Sequence, residues 1–199
     1  MVVADPTLGA SSRNGLSLRS LGIACMLAAV ITGIFGGLWE LARPILASPA
    51  TFAAAPPAQR WGYGLLQLGK SVGFFAGLFG IYTLATRRGP VLKTLMVLAA
   101  AGATFFAAVW LMMAYTGHHT FIYVLGGLWY QMLAPIALGT AALWTRRIAA
   151  WQGAWLVVVG LLNAVIFPLL GPAVAQIVQG VIWLPIGWFV LRNQPAPRA

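Results

Sequence analysis

Two charged side chains, Lys70 and Glu40, stand within or at the edge of long apolar stretches where charge is costly. At the centre of a membrane helix a lysine costs roughly 2.5–3.5 kcal/mol even on a lenient insertion scale, so Lys70 calls for a partner, a wet cavity or a ligand. Advancing about 100° per residue puts Leu66, Lys70, Gly73 and Gly77 on one helix face, with Gly69 and Gly80 beside it and Gln67 near its edge. Leu68, Val72, Phe75, Phe79 and Tyr82 fall opposite. A glycine face suits close helix contact and an aromatic face suits lipid, so Lys70 is expected to point into a bundle. The alternative is an amine that snorkels to the headgroups on its apolar stem.

Glu40 lies near the far end of the preceding apolar run, and the depth gap to Lys70 is roughly 9 Å at 1.5 Å per residue. A Glu40–Lys70 pair would neutralise both charges without any solute. The amides point elsewhere. Gln67, Asn163, Gln176 and Gln179 fall in the outer halves of their apolar runs and Gln131 near the middle, while the inner halves hold little beyond Cys25, Thr140 and Gln152. Pro135, Pro168 and Pro185 cannot donate to the carbonyls of Gln131, Ala164 and Val181, which must find partners in protein, water or ligand. Glu40, Gln67, Lys70, Gln131, Asn163, Gln176 and Gln179 are therefore the candidate ligand-binding set, for a small polar or anionic solute in a pocket opening outward. Interhelical polar packing, worth about 1 kcal/mol per amide, is the competing reading.

Other chemistry is poorly supplied. His118 and His119 sit in a short link beside Tyr115 and could bind metal or sense pH, but adjacent side chains diverge and no cysteine is near, so both read as interfacial. A bis-histidine haem would need a partner histidine on a facing helix. With only Asp5 and Glu40 acidic, and no Ser/His/Asp set, phosphate loop, HExxH or CxxC, neither catalysis nor a cofactor is implied. Cys25 is the only cysteine and forms no internal disulfide.

The elements that must position these groups follow from composition. Of 199 residues 61% are hydrophobic and 7% charged, too few to cover a soluble surface, which makes this an all-α polytopic membrane protein. Its bases sit at the ends of apolar runs, so the net charge of +10 reports topology and anionic headgroups, and no nucleic acid is expected. Six runs, about 18–42, 62–86, 91–116, 121–145, 148–170 and 172–191, can each span roughly 30 Å of hydrocarbon. Most links are so short that sequential helices must be antiparallel hairpins. Only residues 43–61, rich in Ala and Pro, could cap the bundle. Residues 1–17 read as a disordered cytoplasmic tail and 192–199 as a second cytoplasmic tail. Placing the N-terminus inside puts Arg13, Arg19, Arg87, Arg88, Lys93, Arg146, Arg147, Arg192 and Arg198 inside, and only Arg43 and Arg60 outside. Both termini are thus expected in the cytoplasm, in the plasma (inner) membrane.

Residues 78–88 (LFGIYTLATRR) and 180–192 (GVIWLPIGWFVLR) resemble uncharacterised bacterial six-helix integral membrane proteins of this size, a resemblance that implies no activity. The six-helix plan with a long first outer link is similar to the substrate-binding subunits of energy-coupling-factor vitamin transporters. Ala24 with Ala28, and Ala29 with Gly33 and Gly37, resemble the surface those subunits present to a membrane partner. That likeness implies an outward-facing site beneath the first outer link and a partner protein held through small-residue faces of helices 1 and 2. A solute-binding or transport subunit and an accessory subunit without ligand both remain open.

Overall fold

The computed structural model describes residues 17–85, 89–146 and 148–193, all helix and connecting loop, with no strand among the described residues. Residues 1–16 of the expected first tail (1–17), residues 194–199 of the second (192–199) and the link bases Arg87, Arg88 and Arg147 lie outside them. Six helices are labelled here: α1 (Leu18–Ala42), α2 (Pro49–Ala54), α3 (Pro57–Ala85), α4 (Pro90–Thr116), α5 (Tyr123–Thr145) and α6 (Ala150–Arg192). Five helices are long and apolar enough to cross a membrane: α1, Pro57–Leu84 of α3, α4, α5 and Leu169–Arg192 of α6. Ala150–Ile166 is a shorter apolar helix.

The ends of these helices are legible in local chemistry. The Ser17 hydroxyl accepts the Ser20 amide at 3.1 Å to start α1. Pro90 occupies the first turn of α4, where its missing N–H costs nothing. Helix α3 begins five residues before the expected Gly62, because Pro57 starts a turn whose amides at Gln59 and Arg60 reach the Pro56 carbonyl at 2.9 and 3.1 Å.

The two runs expected as separate helices, 148–170 and 172–191, form one helical stretch broken at a single point. Gly171 sits at φ +69°, ψ 167°. Only glycine takes that conformation cheaply, and Pro172 next to it has no amide to continue the ladder. The break leaves α6 with a first arm (150–170) and a second arm (172–192).

Helices α1 and α5 are not uniform α-helix. Each widens into a π-helical stretch, Ala29–Phe35 in α1 and Leu128–Leu133 in α5. In α1 the buried residues Cys25, Ala29, Gly33 and Gly37 repeat every fourth position, as do Ala28, Thr32, Gly36 and Glu40. At 3.6 residues per turn a four-residue stripe drifts around the helix; a wider turn cancels the drift and keeps both stripes facing inward. In α5 the amide of Ala134 reaches back five residues to the carbonyl of Trp129, just before Pro135. That wider turn lets the adjacent Tyr130 and Gln131 both be buried.

Helix α1 is clasped between α3 and the second arm of α6. From Gly22 through Gly33 to Gly37, its partners descend from Gly187 through Gly180 to Ala173. On the other side Ala24 and Ala28 meet Gly73, Cys25 meets Gly77, and Thr32 meets Gly69. The small-residue faces expected to receive a membrane partner are therefore used within the chain, and Ala28, Ala29, Gly33 and Gly37 are buried. The sequence face of α3 is right at its centre and wrong at its edges. Lys70, Gly73 and Gly77 are buried and Val72 and Phe79 are exposed, but Tyr82 is buried and Gly69 exposed. A wheel treats all sides of a helix alike, whereas α3 packs against α1, α4, α5 and α6 and has only a narrow uncovered strip.

Candidate functional site

A cavity of about 490 Å³ lies within the bundle, and the break in α6 explains how its polar side is assembled. The first arm brings Asn163 to it and the second brings Gln176, from either side of Gly171. Helix α3 contributes Gln67 and Lys70, one turn apart, and the π stretch of α5 contributes Gln131. Lys70 is only 1% exposed to the surface, and its ammonium stands 5.9 Å from the Phe106 ring centroid, within cation–π reach. The inward reading of Lys70 thus matches its position, and the snorkelling alternative does not.

The amides hold one another in fixed orientations. Gln179, just behind the cavity, donates from Nε2 to Gln131 Oε1 at 2.9 Å and to Asn163 Oδ1 at 2.7 Å. Neither acceptor can turn its amide freely, because Gln131 Nε2 donates to the Tyr130 hydroxyl and Asn163 Nδ2 donates to the Val159 carbonyl at 2.8 Å. Gln67 Nε2 donates to Gln176 Oε1 at 3.3 Å. Three buried polar atoms on the lining residues have no hydrogen-bond partner: Gln67 Oε1, the Trp110 indole nitrogen and His119 Nδ1. Unsatisfied buried groups each cost about 1–3 kcal/mol, so the lining is not a fully satisfied polar packing.

Two of the seven expected site residues stand apart from this cavity. Gln179 supports it from behind. Glu40 borders a separate pocket of about 290 Å³, with Leu41, Pro44, Ala47 and residues 170–174. Its Oε1 accepts the Leu46 amide at 2.7 Å, and Oε2 has no hydrogen-bond partner. Six residues separate Glu40 from Leu46, so this bond ties the start of the 43–61 link to the end of α1. The rest of the link is also tied. A reciprocal Ser48–Thr51 cap starts α2, Phe52 is buried, and Arg60 Nη1 donates to the carbonyls of Ala53 and Ala55 at 3.0 and 2.9 Å. The expected cap over the bundle is an ordered one, and Leu46 from it lines the cavity.

Much of the remaining lining is aromatic, and the sequence pattern does not single it out. Phe106 and Trp110, one turn apart on α4, meet Tyr123 at ring-centroid distances of 5.7 and 4.8 Å. His119 continues this lining, edge-on to Phe121 at 4.9 Å and to Phe52 at 5.5 Å. For His119 alone the sequence offers a hint: two adjacent histidines diverge, and His118 is the exposed one.

Burial holds the His119 imidazole below its ordinary value of 6.5. The folded protein therefore favours neutral His119, and the unfolded chain takes up the proton first. No stability is lost above pH 6.5; as pH falls below it, the α2–His119 contact weakens progressively. Protection of the backbone amides of α2, measured relative to intrinsic exchange at each pH, should fall between pH 7 and 5, and His119→Phe should abolish that fall. An unchanged profile in the variant would assign the pH response to another group.

An all-helical, membrane-type chain that gathers an amide network, one lysine and a set of aromatic rings defines a class: a multi-pass helical protein with an internal, largely apolar cavity that is polar on one side. No protein-family model matches the chain, and no curated protein or solved structure is significantly similar to it.

Proposed function

We propose that this chain is a six-span antiparallel bundle in the plasma membrane of a bacterium, with both termini cytoplasmic, and that it binds a small polar or anionic solute as a binding or transport subunit. The reversed order of the α1–α6 and α1–α3 pairings supports antiparallel packing, and the first arm of α6 supplies the sixth span. The bias of bases supports the orientation, which puts the 43–61 link outside as a lid over the cavity. The observation that carries the function is the cavity of about 490 Å³, where Gln67, Lys70, Gln131, Asn163 and Gln176 converge from α3, α5 and both arms of α6. Dry interhelical packing would have no reason to leave such a volume among buried amides. The architectural likeness to vitamin-binding transport subunits points the same way.

Two measurements test this reading. In a background lacking Cys25, single cysteines at Ala54 and Thr120 should react with an impermeant thiol reagent in intact cells, and one at Gly89 should not; labelling at Gly89 would reverse the orientation. Purified protein should gain thermal stability from at least one member of a panel of sugars, amino acids, nucleosides and organic anions, and Gln131→Leu should remove the gain. A panel without effect would favour an accessory subunit.

A further inference from the structure

The rim of the cavity narrows the solute further, an inference that rests on the solute-binding reading above. Phe121, Val124, Leu128 and Ala164 line the cavity and are also exposed on the outside of the bundle. Residues 123–127 pack on α4, and α6 packs on α5 from residue 128 onward, so the cavity approaches the flank between the start of α5 and the first arm of α6. Leu128 lies five residues inside the membrane-length span Tyr123–Thr145, and Ala164 seven residues before the break at Gly171. At 1.5 Å per residue these are depths of about 8 and 10 Å, below the ends of the apolar helices. The exposed rim is apolar at that depth, where a spanning helix is surrounded by hydrocarbon. A charged solute would be desolvated there without recompense, whereas an apolar body suits it. On the link side the cavity instead meets Leu46 of the ordered cap, whose amide is held by Glu40.

The polar part of the lining has little left to give. Both ends of the Gln131 and Asn163 amides are taken by Tyr130, Gln179 and Val159, and Gln67 Nε2 is taken by Gln176. Lys70 is engaged within the bundle, its amine 5.9 Å from the Phe106 ring centroid, so the site does not depend on a charge from the solute. A sugar, with a hydroxyl on nearly every carbon, would leave most of its own groups unmet in such a place. One hydroxyl, which both donates and accepts, asks no more than this lining can supply. The rings of Phe106, Trp110, Phe121 and Tyr123 meanwhile offer offset or edge-to-face contact to a flat apolar body.

We propose that the cavity takes up an uncharged amphiphile from the lipid phase, a molecule of one or two rings with a single small polar group. Its polar end lies among the amides and its apolar body toward the Phe121–Val124–Leu128–Ala164 flank. The volume of about 490 Å³ lies within the range of pockets that enclose one such molecule.

Equilibrium titration of the full chain in lipid nanodiscs at pH 7, with empty nanodiscs as the blank, tests this with 2-naphthol, naphthalene, 2-naphthalenesulfonate and glucose. Naphthol should bind saturably, naphthalene about tenfold more weakly or worse, and the other two not measurably. Ala164→Trp places a bulky side chain at the exposed rim and should weaken naphthol about tenfold while leaving the melting temperature near that of the parent. Val165→Trp, at a neighbouring position 50% exposed that does not line the cavity, should leave binding unchanged. Sulfonate binding as tight as naphthol would overturn the uncharged class, and naphthalene binding as tight would overturn the polar end. Parental binding in Ala164→Trp would overturn the placement at the flank. Binding of glucose or another water-soluble compound of the panel in place of naphthol, lost in Gln131→Leu, would overturn the amphiphile while leaving the solute-binding reading intact. Binding of none of the four, together with a null result across the broader panel, would overturn both.

Discussion

Gly180→Leu is expected to be the most damaging single substitution in the described chain, costing about 3 kcal/mol or more and abolishing recovery of monodisperse protein. A side chain at Gly180 would meet the Ala29 carbonyl at 2.6 Å and the Ile34 amide at 2.8 Å, and across the contact one at Gly33 would meet the Gly180 amide at 2.8 Å. These are backbone atoms, so no rotamer change relieves the overlap; the second arm of α6 must move off α1. Gln176 and Gln179 ride on that arm, within one turn of Gly180, so the site is lost along with the packing. Without a hydrophobic drive between helices in lipid, close van der Waals contact is the main attraction, which is why the loss is large. Val181→Leu, at a position 53% exposed, should leave thermal stability and yield unchanged. If Gly180→Leu purifies and melts like Val181→Leu, the second arm does not dock on α1 in this register.

The second large effect is at Gln179, where the isosteric change should be worse than the non-isosteric one. Gln179→Met deletes one amide that serves Gln131 Oε1 and Asn163 Oδ1, leaving two acceptors unmet at about 1–3 kcal/mol in total. Gln179→Glu keeps the shape but sets a carboxylate against two carbonyl-type oxygens. Gln131 and Asn163 cannot flip to present their NH₂ groups without giving up the Tyr130 hydroxyl and the Val159 carbonyl. The protein must then protonate the acid, bury an unpaired anion or break the network, each dearer than the simple deletion. Equilibrium unfolding in mixed micelles should rank the parent first, Gln179→Met second and Gln179→Glu last. A variant with Glu as stable as the one with Met would mean that Gln179 does not orient its neighbours.

Much of this was legible in the amino-acid order, for identifiable reasons. Apolar runs of membrane length can be counted, the Gly69/Gly73/Gly77 spacing marks a close contact, and a buried lysine is rare enough to announce an interior site. Five of the seven expected site residues line one cavity, because polar side chains in an apolar medium have few places to go. Depth along its helix groups Glu40 with them, and depth does not distinguish the two sides of a helix. The aromatic wall was illegible for the opposite reason. Phe, Trp and Tyr are as much at home against lipid as in a cavity, so their types say nothing about which way they face.

What the sequence determined by itself is the medium and the segments: hydrophobicity along one chain reports where backbone must be helical in lipid and which polar groups need shelter. What only the tertiary structure decided is facing and register. The π stretches in α1 and α5, the left-handed turn at Gly171 that sets Asn163 and Gln176 on one cavity, and the orientation of the Gln179 network each depend on which surfaces meet. Those meetings join residues far apart in the chain, 165 positions at Gly22 and Gly187, and contacts of such range leave no periodic trace in the local sequence.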